Sequence, residues 1–310
     1  MYDIIGDIHG HSGPLERLLH KLEYRPVDGV YSHPKRKALF LGDFIDRGTE
    51  SRKVVSIVRK MVERGHAKAI MGNHEWNALQ FHSRDSNGNP LRPHSTKNIK
   101  QHAATLQSYG CEGLEPSEAL KSDLEWFRTL PLFFEEDGLR AVHATWDEKQ
   151  IQQLKYLYPD GVVGPGFLQD SIQTGESHSI TETLLKGAEV DLPSGVVFYD
   201  KDGHPRTSAR VRWWKGGPTG GGTKARDFLF VPQDWDSPDL ALDFLERLPV
   251  YPSDAAPVFF GHYWMEPPLQ LQSHNVCCLD YSVAKNGALA CYRWNGEERL
   301  TASSLEAVMS

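Results

Sequence analysis

Three short segments near the start of the chain carry side chains of the types that can bind metal ions and phosphate. These segments are GDIHG (6–10), GDFIDRG (42–48) and GNHE (72–75). Mixed carboxylate and imidazole ligands favour divalent transition metals over calcium. The guanidinium of Arg47 matches two phosphate oxygens at once, which a lysine does not. The three segments therefore indicate a site for divalent metal ions.

A predicted β-strand leads into each of these segments. The apolar runs 2–5, 37–41 and 67–71 alternate with helical patterns at 12–23 and 49–64, an arrangement typical of βαβ units and a parallel sheet. The carboxyl ends of parallel strands meet at one edge of a sheet, where ligands bind. The side chains expected to meet at that edge are Asp7, His9, Asp43, Asn73 and His74.

Two later strands should bring further ligands to the site. The predicted strands 139–142 and 257–260 end in His143 and His262. The candidate ligands are then two aspartates, one asparagine and three histidines: Asp7, Asp43, Asn73, His9, His143 and His262. A single cation rarely needs so many protein ligands, whereas two neighbouring cations do, and they share a bridging carboxylate. Asp43 is the natural candidate for that bridge.

The motifs resemble those of a known family. GDIHG, GDFIDRG and GNHE resemble the signature blocks of the calcineurin-like metallophosphoesterase superfamily, and the DRG of the second block resembles its phosphoprotein-phosphatase branch. VHATW around His143, FFGHYW around His262 and the closing CLDYSVAKNGALACYRW are similar to later blocks. The resemblance implies an α/β fold, a four-layer α/β/β/α sandwich with long loop and helical insertions. It also implies a single domain over 1–310, with insertions at about 82–138 and 146–255.

The resemblance also implies roles for individual residues. One metal would be held by Asp7, His9 and Asp43, and the second by Asp43, Asn73, His143 and His262. His74 would be the general acid, Asp46 would orient it, and Arg47 and Asn73 would contact phosphate oxygens. Trp264 stands where the wider superfamily often has a further histidine, which fits the phosphoprotein-phosphatase branch.

These roles agree with elementary chemistry. A water that bridges two cations becomes hydroxide near neutral pH and can attack phosphorus in line. The leaving alkoxide needs a proton, and a positioned histidine that supplies one is worth about 10²–10⁴-fold in rate. A carboxylate behind that histidine fixes its tautomer and favours the imidazolium.

A second phosphate-binding arginine is expected between His143 and His262. Branch members carry one in that interval, and a strand predicted at 209–214 presents Arg210 and Arg212 on one face. The sequence does not choose between these two, and Arg206 is a third candidate.

The insertions match no known pattern. Segment 82–98 is rich in polar residues and predicts a loop, with helices following at 98–109 and 117–129. A hairpin is predicted from strands 196–199 and 209–214 around a DKDG turn. GGPTGGGTK (216–224) lacks the Walker spacing and is expected to be a loop. His11, His82, His94 and His102 are expected to face solvent or to lie behind the ligands, with contact to substrate as an alternative for His82 and His94.

Composition narrows the class of protein. The 310 residues carry a formal net charge of −7, which argues against non-specific nucleic-acid binding. No apolar run is long enough to span a bilayer, and the N-terminus lacks the pattern of a secretory signal. The four cysteines form no CxxC pair. We expect a cytoplasmic protein without a membrane partner.

The predicted function is hydrolysis of a phosphoester by a metal-bridging hydroxide. Phosphoserine or phosphothreonine in proteins, or a general phosphomonoester, is the favoured substrate, and a dinucleoside polyphosphate such as diadenosine tetraphosphate is the alternative. A metal-binding scaffold without catalysis is the alternative from another class, and the survival of His74, Asp46 and Arg47 argues against it. The two divalent ions are expected to be manganese, with iron and zinc as alternatives.

Overall fold

The structure is a computed structural model that describes residues 1–136, 138–200, 203–215, 223–232 and 234–310. Ten α-helices occur in these ranges: α1 (Ser12–Lys21), α2 (Ser51–Glu63), α3 (Asn73–His82), α4 (Thr96–Ser108), α5 (Glu118–Phe127), α6 (Glu148–Leu157), α7 (Pro165–Asp170), α8 (Glu176–Lys186), α9 (Ala225–Phe228) and α10 (Leu242–Leu245).

Seventeen strands occur in the same ranges. They are β1 (Tyr2–Ile5), β2 (Arg25–Val27), β3 (Val30–Ser32), β4 (Lys37–Phe40), β5 (Ala67–Ala69), β6 (Phe133–Glu136), β7 (Leu139–Val142), β8 (Glu189–Asp191), β9 (Phe198–Tyr199), β10 (Pro205–Arg206), β11 (Ser208–Val211), β12 (Leu229–Phe230), β13 (Val258–Phe260), β14 (Val276–Cys278), β15 (Asp280–Tyr281), β16 (Ala288–Trp294) and β17 (Leu305–Met309).

Two sheets form the centre of the molecule. The first has the order β15-β16-β1-β4-β5, with β17 also paired to β16, and its strands β1, β4 and β5 are parallel as the βαβ pattern predicts. The second has the order β14-β13-β7-β6, in which β13 runs parallel to both neighbours. Because all five strands that carry the predicted ligands belong to these parallel arrays, their carboxyl ends can face one site.

An apolar core joins the two sheets, and other elements cover their outer faces. Ile4 and Leu39 of the first sheet pack with Ala141 and Phe259 of the second, and all four are fully buried. Helices α1 and α2 contact the outer face of the first sheet. On the outer face of the second sheet, the Trp213 ring lies 4.8 Å from that of Phe260. The expected four-layer α/β/β/α sandwich is confirmed.

The insertions differ from the sequence prediction in detail. The predicted helices 98–109 and 117–129 are α4 and α5, whereas α6, α7 and the β2–β3 hairpin were not predicted. The predicted hairpin is wrong in its pairing, because β9 pairs with β10, and β11 pairs with β8 and β12. Turn residues 201–202 and the glycine-rich segment 216–222 lie outside the described residues. No described helix combines the length and the apolar character that a bilayer-crossing segment requires.

Candidate metal centre

The ligand-bearing loops leave their strands through unusual backbone conformations. His9, Asp43 and His262 have φ angles of 48°, 52° and 66°, in the left-handed region that non-glycine residues seldom adopt. Such conformations persist only where the surrounding structure enforces them, and they cluster at functional sites. Here they turn each chain sharply after the strand end, at a residue that is itself a predicted ligand.

Two glycines allow the second and third loops to meet. Gly42 has a φ of 92°, and a Cβ built on it would lie 2.3 Å from the backbone nitrogen of Gly72. A Cβ on Gly72 would in turn lie 2.2 Å from the nitrogen of Asp43. Since no side chain fits in either position, the backbones pack directly, and Asp43 lies beside the start of α3.

The carboxylate of Asp43 lies at the centre of the cluster. Its Oδ2 is 3.5 Å from Nε2 of His9 and 3.9 Å from Nε2 of His74, and its Oδ1 is 3.4 Å from Nε2 of His143. Two groups of potential ligands, each with its atoms within 4.8 Å of one another, share this residue: His9, Asp43 and His74 in one, and Asp43, His143 and His262 in the other.

Asn73 lies between the two later histidines. Its Oδ1 is 3.0 Å from Nε2 of His143 and 2.8 Å from Nδ1 of His262. The other ring nitrogen of His143 lies 2.7 Å from the carbonyl of Leu41, and Nδ1 of His9 lies 3.1 Å from the carbonyl of Ile45. These backbone partners leave Nε2 of each ring directed at the cluster, as second-layer partners of metal-bound histidines do.

Asp7 stands at the edge of the cluster and belongs to neither ligand group. Its Oδ2 accepts a hydrogen bond of 3.1 Å from the backbone N–H of His262. Its Oδ1 is buried and has no partner among the described residues. The structure therefore brings all six predicted metal ligands to one place, and their ligand roles stay predictions.

Unpartnered polar atoms show that these residues fit a bound cation. Among the described residues, four buried side-chain polar atoms lack a hydrogen-bond partner, and three of them belong to predicted ligands: Oδ1 of Asp7, Nε2 of His9 and Nε2 of His262. Buried polar atoms are rarely left unpaired, because each costs about 1–3 kcal/mol. A divalent cation would satisfy donor atoms of this kind.

The pKa directions of His9, His262 and Asp7 agree with such a site. Burial lowers the pKa of His9 to about 3, and burial with the charge of Arg210 lowers the pKa of His262. Both rings are therefore neutral, the form that binds metals. Burial, and then the charge of Asp280, raise the pKa of Asp7. A nearby cation would stabilise the ionised form of a carboxylate in this position.

Asp46 links His74 to the α4 helix. Its Oδ2 lies 2.6 Å from Nδ1 of His74, while its Oδ1 lies 2.8 Å from Nδ1 of His102 and 2.6 Å from Oγ1 of Thr105. Burial works to lower the pKa of His74, but the carboxylates of Asp43 and Asp46 prevail and raise it above the ordinary value. His74 is thus suited to hold and donate a proton.

An open cleft of about 860 Å³ extends from His74 and Asn73. Arg47 lines it, with its guanidinium carbon 4.6 Å from the ring centroid of Trp264, and Arg210 lines it as well. Arg212 instead lies against Phe230 and donates to the carbonyl of Leu229 at 3.2 Å. Arg206 is paired with Asp200. Of the three candidates for the second arginine, Arg210 is the one that lines the cleft.

Several residues around the site were not found from the sequence. The buried Glu75 carboxylate accepts hydrogen bonds of 2.8 Å from the backbone N–H groups of Asp43 and Phe44, and so fixes the turn that presents Asp43. A glutamate at the third position of a helix is a capping signal that could have drawn attention to it. Thr105 had no comparable signal, and His102, which was expected to face solvent or to lie behind the ligands, lies behind Asp46.

Curated proteins resemble this chain over part of its length. The bis(5'-nucleosyl)-tetraphosphatase PrpE [asymmetrical] of Oceanobacillus iheyensis is 47% identical over 73 residues, which cover 23% of this chain and 29% of that protein. Its counterpart from Bacillus subtilis is 32% identical over 133 residues, 43% of this chain and 51% of that protein. The matches thus span about half or less of the length of these relatives.

Solved structures share the fold at low sequence identity. A protein serine/threonine phosphatase from Saccharomyces cerevisiae aligns with a TM-score of 0.51 and 16% identity, over 99% of this chain and 78% of that one. A cold-active protein-tyrosine phosphatase from a Shewanella species aligns with a TM-score of 0.50 and 16% identity, over 99% and 79%.

The family model described as calcineurin-like phosphoesterase matches residues 2–262, a span that contains all six predicted ligands together with His74, Asp46 and Arg47. This family uses a dinuclear metal centre, which agrees with the two ligand groups that share Asp43. The chain belongs to the calcineurin-like phosphoesterase family.

Proposed function

We propose that the protein hydrolyses phosphate esters with two divalent cations, one held by Asp7, His9 and Asp43 and the other by Asp43, Asn73, His143 and His262. The observation that carries this proposal is the place of Asp43 in both groups of potential ligands. Bound there, the cations would supply a nucleophile at neutral pH and neutralise charge on the phosphoryl oxygens. Manganese is the favoured metal, with iron and zinc as alternatives.

His74 acts as the general acid in this proposal. Oδ2 of Asp46 accepts a hydrogen bond from Nδ1–H of His74, with 2.6 Å between the oxygen and the nitrogen. Nε2 is therefore the ring nitrogen that faces the cluster. The raised pKa keeps a proton available on the ring. Donation of that proton from Nε2 to the leaving oxygen avoids the release of an unprotonated alkoxide.

Two arginines bind and orient the phosphate. Arg47 and Arg210 both line the cleft beside His74. The planar guanidinium binds two phosphate oxygens together, which fixes orientation as well as position. The contact between Arg47 and Trp264 restricts the arginine, so less freedom is lost when the phosphate binds. Arg212, which lies against Phe230, has no direct part in this arrangement.

Phosphorylated serine or threonine in proteins, or a small phosphomonoester, is the favoured substrate. A dinucleoside polyphosphate is a second candidate, supported by the size of the cleft and by the rings of Phe230, Tyr263 and Trp264 along it. Aromatic rings of this kind stack with nucleobases. The cytoplasmic location and the single-domain organisation expected from the sequence stay predictions.

Turnover of p-nitrophenyl phosphate by purified protein with added manganese tests the proposal. We expect release of p-nitrophenol that depends on the metal and is abolished by a chelator. A wild-type protein that binds metal and yet releases no p-nitrophenol would contradict the proposal and favour the scaffold without catalysis.

A further inference from the structure

Helix α4 forms one side of the cleft. Lys97, Lys100, Gln101 and Ala104 all line it, and we refer to these four residues as the α4 wall. Their spacing of three and four residues places them on one face of the helix. The two lysines are about 4.5 Å apart along the helix axis. The α4 wall thus presents two ammonium groups to the same cleft that contains His74.

The charged side chains that line this cleft are cationic, and of these Arg210 is also paired with Glu189 at 3.6 Å. Arg47 and Arg210 join the two lysines, and none of the described residues that line the cleft is an aspartate or a glutamate. Within the part of the chain that the structure describes, neither Lys97 nor Lys100 forms an ion pair. The protein as a whole carries a formal charge of −7. A cluster of cations in an acidic protein indicates an anionic ligand.

The α4 wall is held in a fixed position relative to the candidate acid. His102 and Thr105, on the inner face of α4, lie 2.8 Å and 2.6 Å from Oδ1 of Asp46, whose other oxygen binds His74. A shift of α4 would break these buried hydrogen bonds. The helix that carries the lysines is therefore positioned by the same contacts that position His74.

We propose that the α4 wall is a binding subsite for phosphate groups of the substrate other than the one that is attacked. Arg47 and Arg210 suffice for a single phosphoryl group, so the additional cations fit a linear chain of linked phosphates. This inference rests on the proposed function, since it places the attacked phosphate beside His74. It favours the second candidate substrate, a dinucleoside polyphosphate with several linked phosphates, over a phosphomonoester.

The test compares Lys97→Gln/Lys100→Gln with wild type and with Lys60→Gln, which removes an exposed lysine of α2. We would measure kcat/KM for p-nitrophenyl phosphate and for diadenosine tetraphosphate at one manganese concentration. The double variant should keep its kcat/KM on p-nitrophenyl phosphate within about 2-fold and lose about 10-fold or more on diadenosine tetraphosphate, chiefly through KM. Lys60→Gln should match wild type on both.

A binding measurement on metal-free protein separates the subsite from catalysis. Titration calorimetry with inorganic tripolyphosphate should show weaker binding to the double variant, whereas binding of inorganic phosphate should be unchanged. An equal loss on both substrates, or no loss on either, would overturn the subsite. The same variants would also be assayed on an acidic phosphopeptide, and a loss there without a loss on diadenosine tetraphosphate would overturn the phosphate chain as the ligand. Failure of the proposed function would appear separately, as wild type inactive on p-nitrophenyl phosphate.

Discussion

Nδ1 of His102 lies 2.8 Å from Oδ1 of Asp46, the carboxylate oxygen that does not bind His74. Nε2 of His102 lies 3.1 Å from Nε2 of His82, whose pKa is lowered to about 3 by burial and by His102. His82 is therefore neutral, and its Nε2–H can donate to His102, which in turn donates to Asp46. Asp46 is thus held from behind by residues of α3 and α4.

Replacement of His102, which does not line the cleft, should impair proton donation by His74. His102→Leu removes a hydrogen bond to the Asp46 carboxylate, so we expect about a 10-fold loss on phenyl phosphate, a poor leaving group, and a smaller loss on p-nitrophenyl phosphate. His102→Asn, which keeps a donor, should recover part of the rate. His94→Asn, which alters a ring stacked on Phe81, is the control. An equal fall on both substrates would indicate a merely structural role for His102.

Removal of the acid itself should give a larger effect of the same kind. We predict that His74→Asn retains its metal but loses about 100-fold or more in kcat on phenyl phosphate, because the leaving oxygen receives no proton. The loss on p-nitrophenyl phosphate should be much smaller. The ratio of the two rates, compared with wild type, is the measurement. A His74→Asn variant with the wild-type ratio would refute the acid role.

Loss of the bridging carboxylate should impair the loading of both metals. Asp43→Asn leaves one ligand oxygen in place of two on the residue that the two groups share. Elemental analysis after dialysis against manganese should find fewer than two ions per chain. Asp46→Asn, which changes a carboxylate outside both groups, should still load two. Two ions bound by Asp43→Asn would show that Asp43 is no bridge.

A single methyl group behind Asp7 should disturb the centre. A Cβ on Gly261 would lie 2.0 Å from Oδ1 of Asp7, so Gly261→Ala must displace the carboxylate or the loop. We expect weaker metal loading and about a 100-fold loss of activity, as small misplacements at reacting centres cause. Gly13→Ala, where the nearest atom is the tip of Arg17 at 3.4 Å, is the matched control. Wild-type metal content in Gly261→Ala would contradict the placement of Asp7.

The environment of Asp46 predicts a loss of stability in acid. Burial opposes its ionisation, but the hydrogen bonds from His102 and His74 prevail and hold its pKa below the ordinary value. Folding thus favours the ionised form, and this contribution is complete above the unfolded pKa of about 3.9 and declines as the pH falls below it. Urea unfolding should show a free-energy gap between wild type and Asp46→Asn that narrows from pH 6 to pH 3. A gap that stays constant would contradict this assignment.

The centre was predictable because its residues follow parallel strands. A strand ending in Asp43 and another in Asn73 must present those side chains at one edge, whatever the rest of the chain does. For the same reason His143 and His262 were placed correctly although the intervening insertion was not understood. Strand periodicity and the glycines at the strand ends carried that information.

The surroundings of the centre could not be predicted from local patterns. Periodicity indicated a helix at 98–109, but it does not say which face meets the site, so Lys97 and Lys100 had no assigned place and His102 had two. The pairing of β11 with β8 and β12 depends on tertiary packing, and a nearby turn signal favoured the wrong partner. Strand alternation placed Arg210 and Arg212 on one face and could not distinguish them. The structure distinguishes them by their surroundings, because Arg210 lines the cleft and Arg212 lies against Phe230.

Anomalous diffraction from crystals grown with manganese tests the central claim most directly. The account predicts two peaks about 3.5–4 Å apart, with the Asp43 carboxylate between them, Asp7 and His9 beside one, and Asn73, His143 and His262 beside the other. A single peak, or two peaks without Asp43 between them, would contradict it.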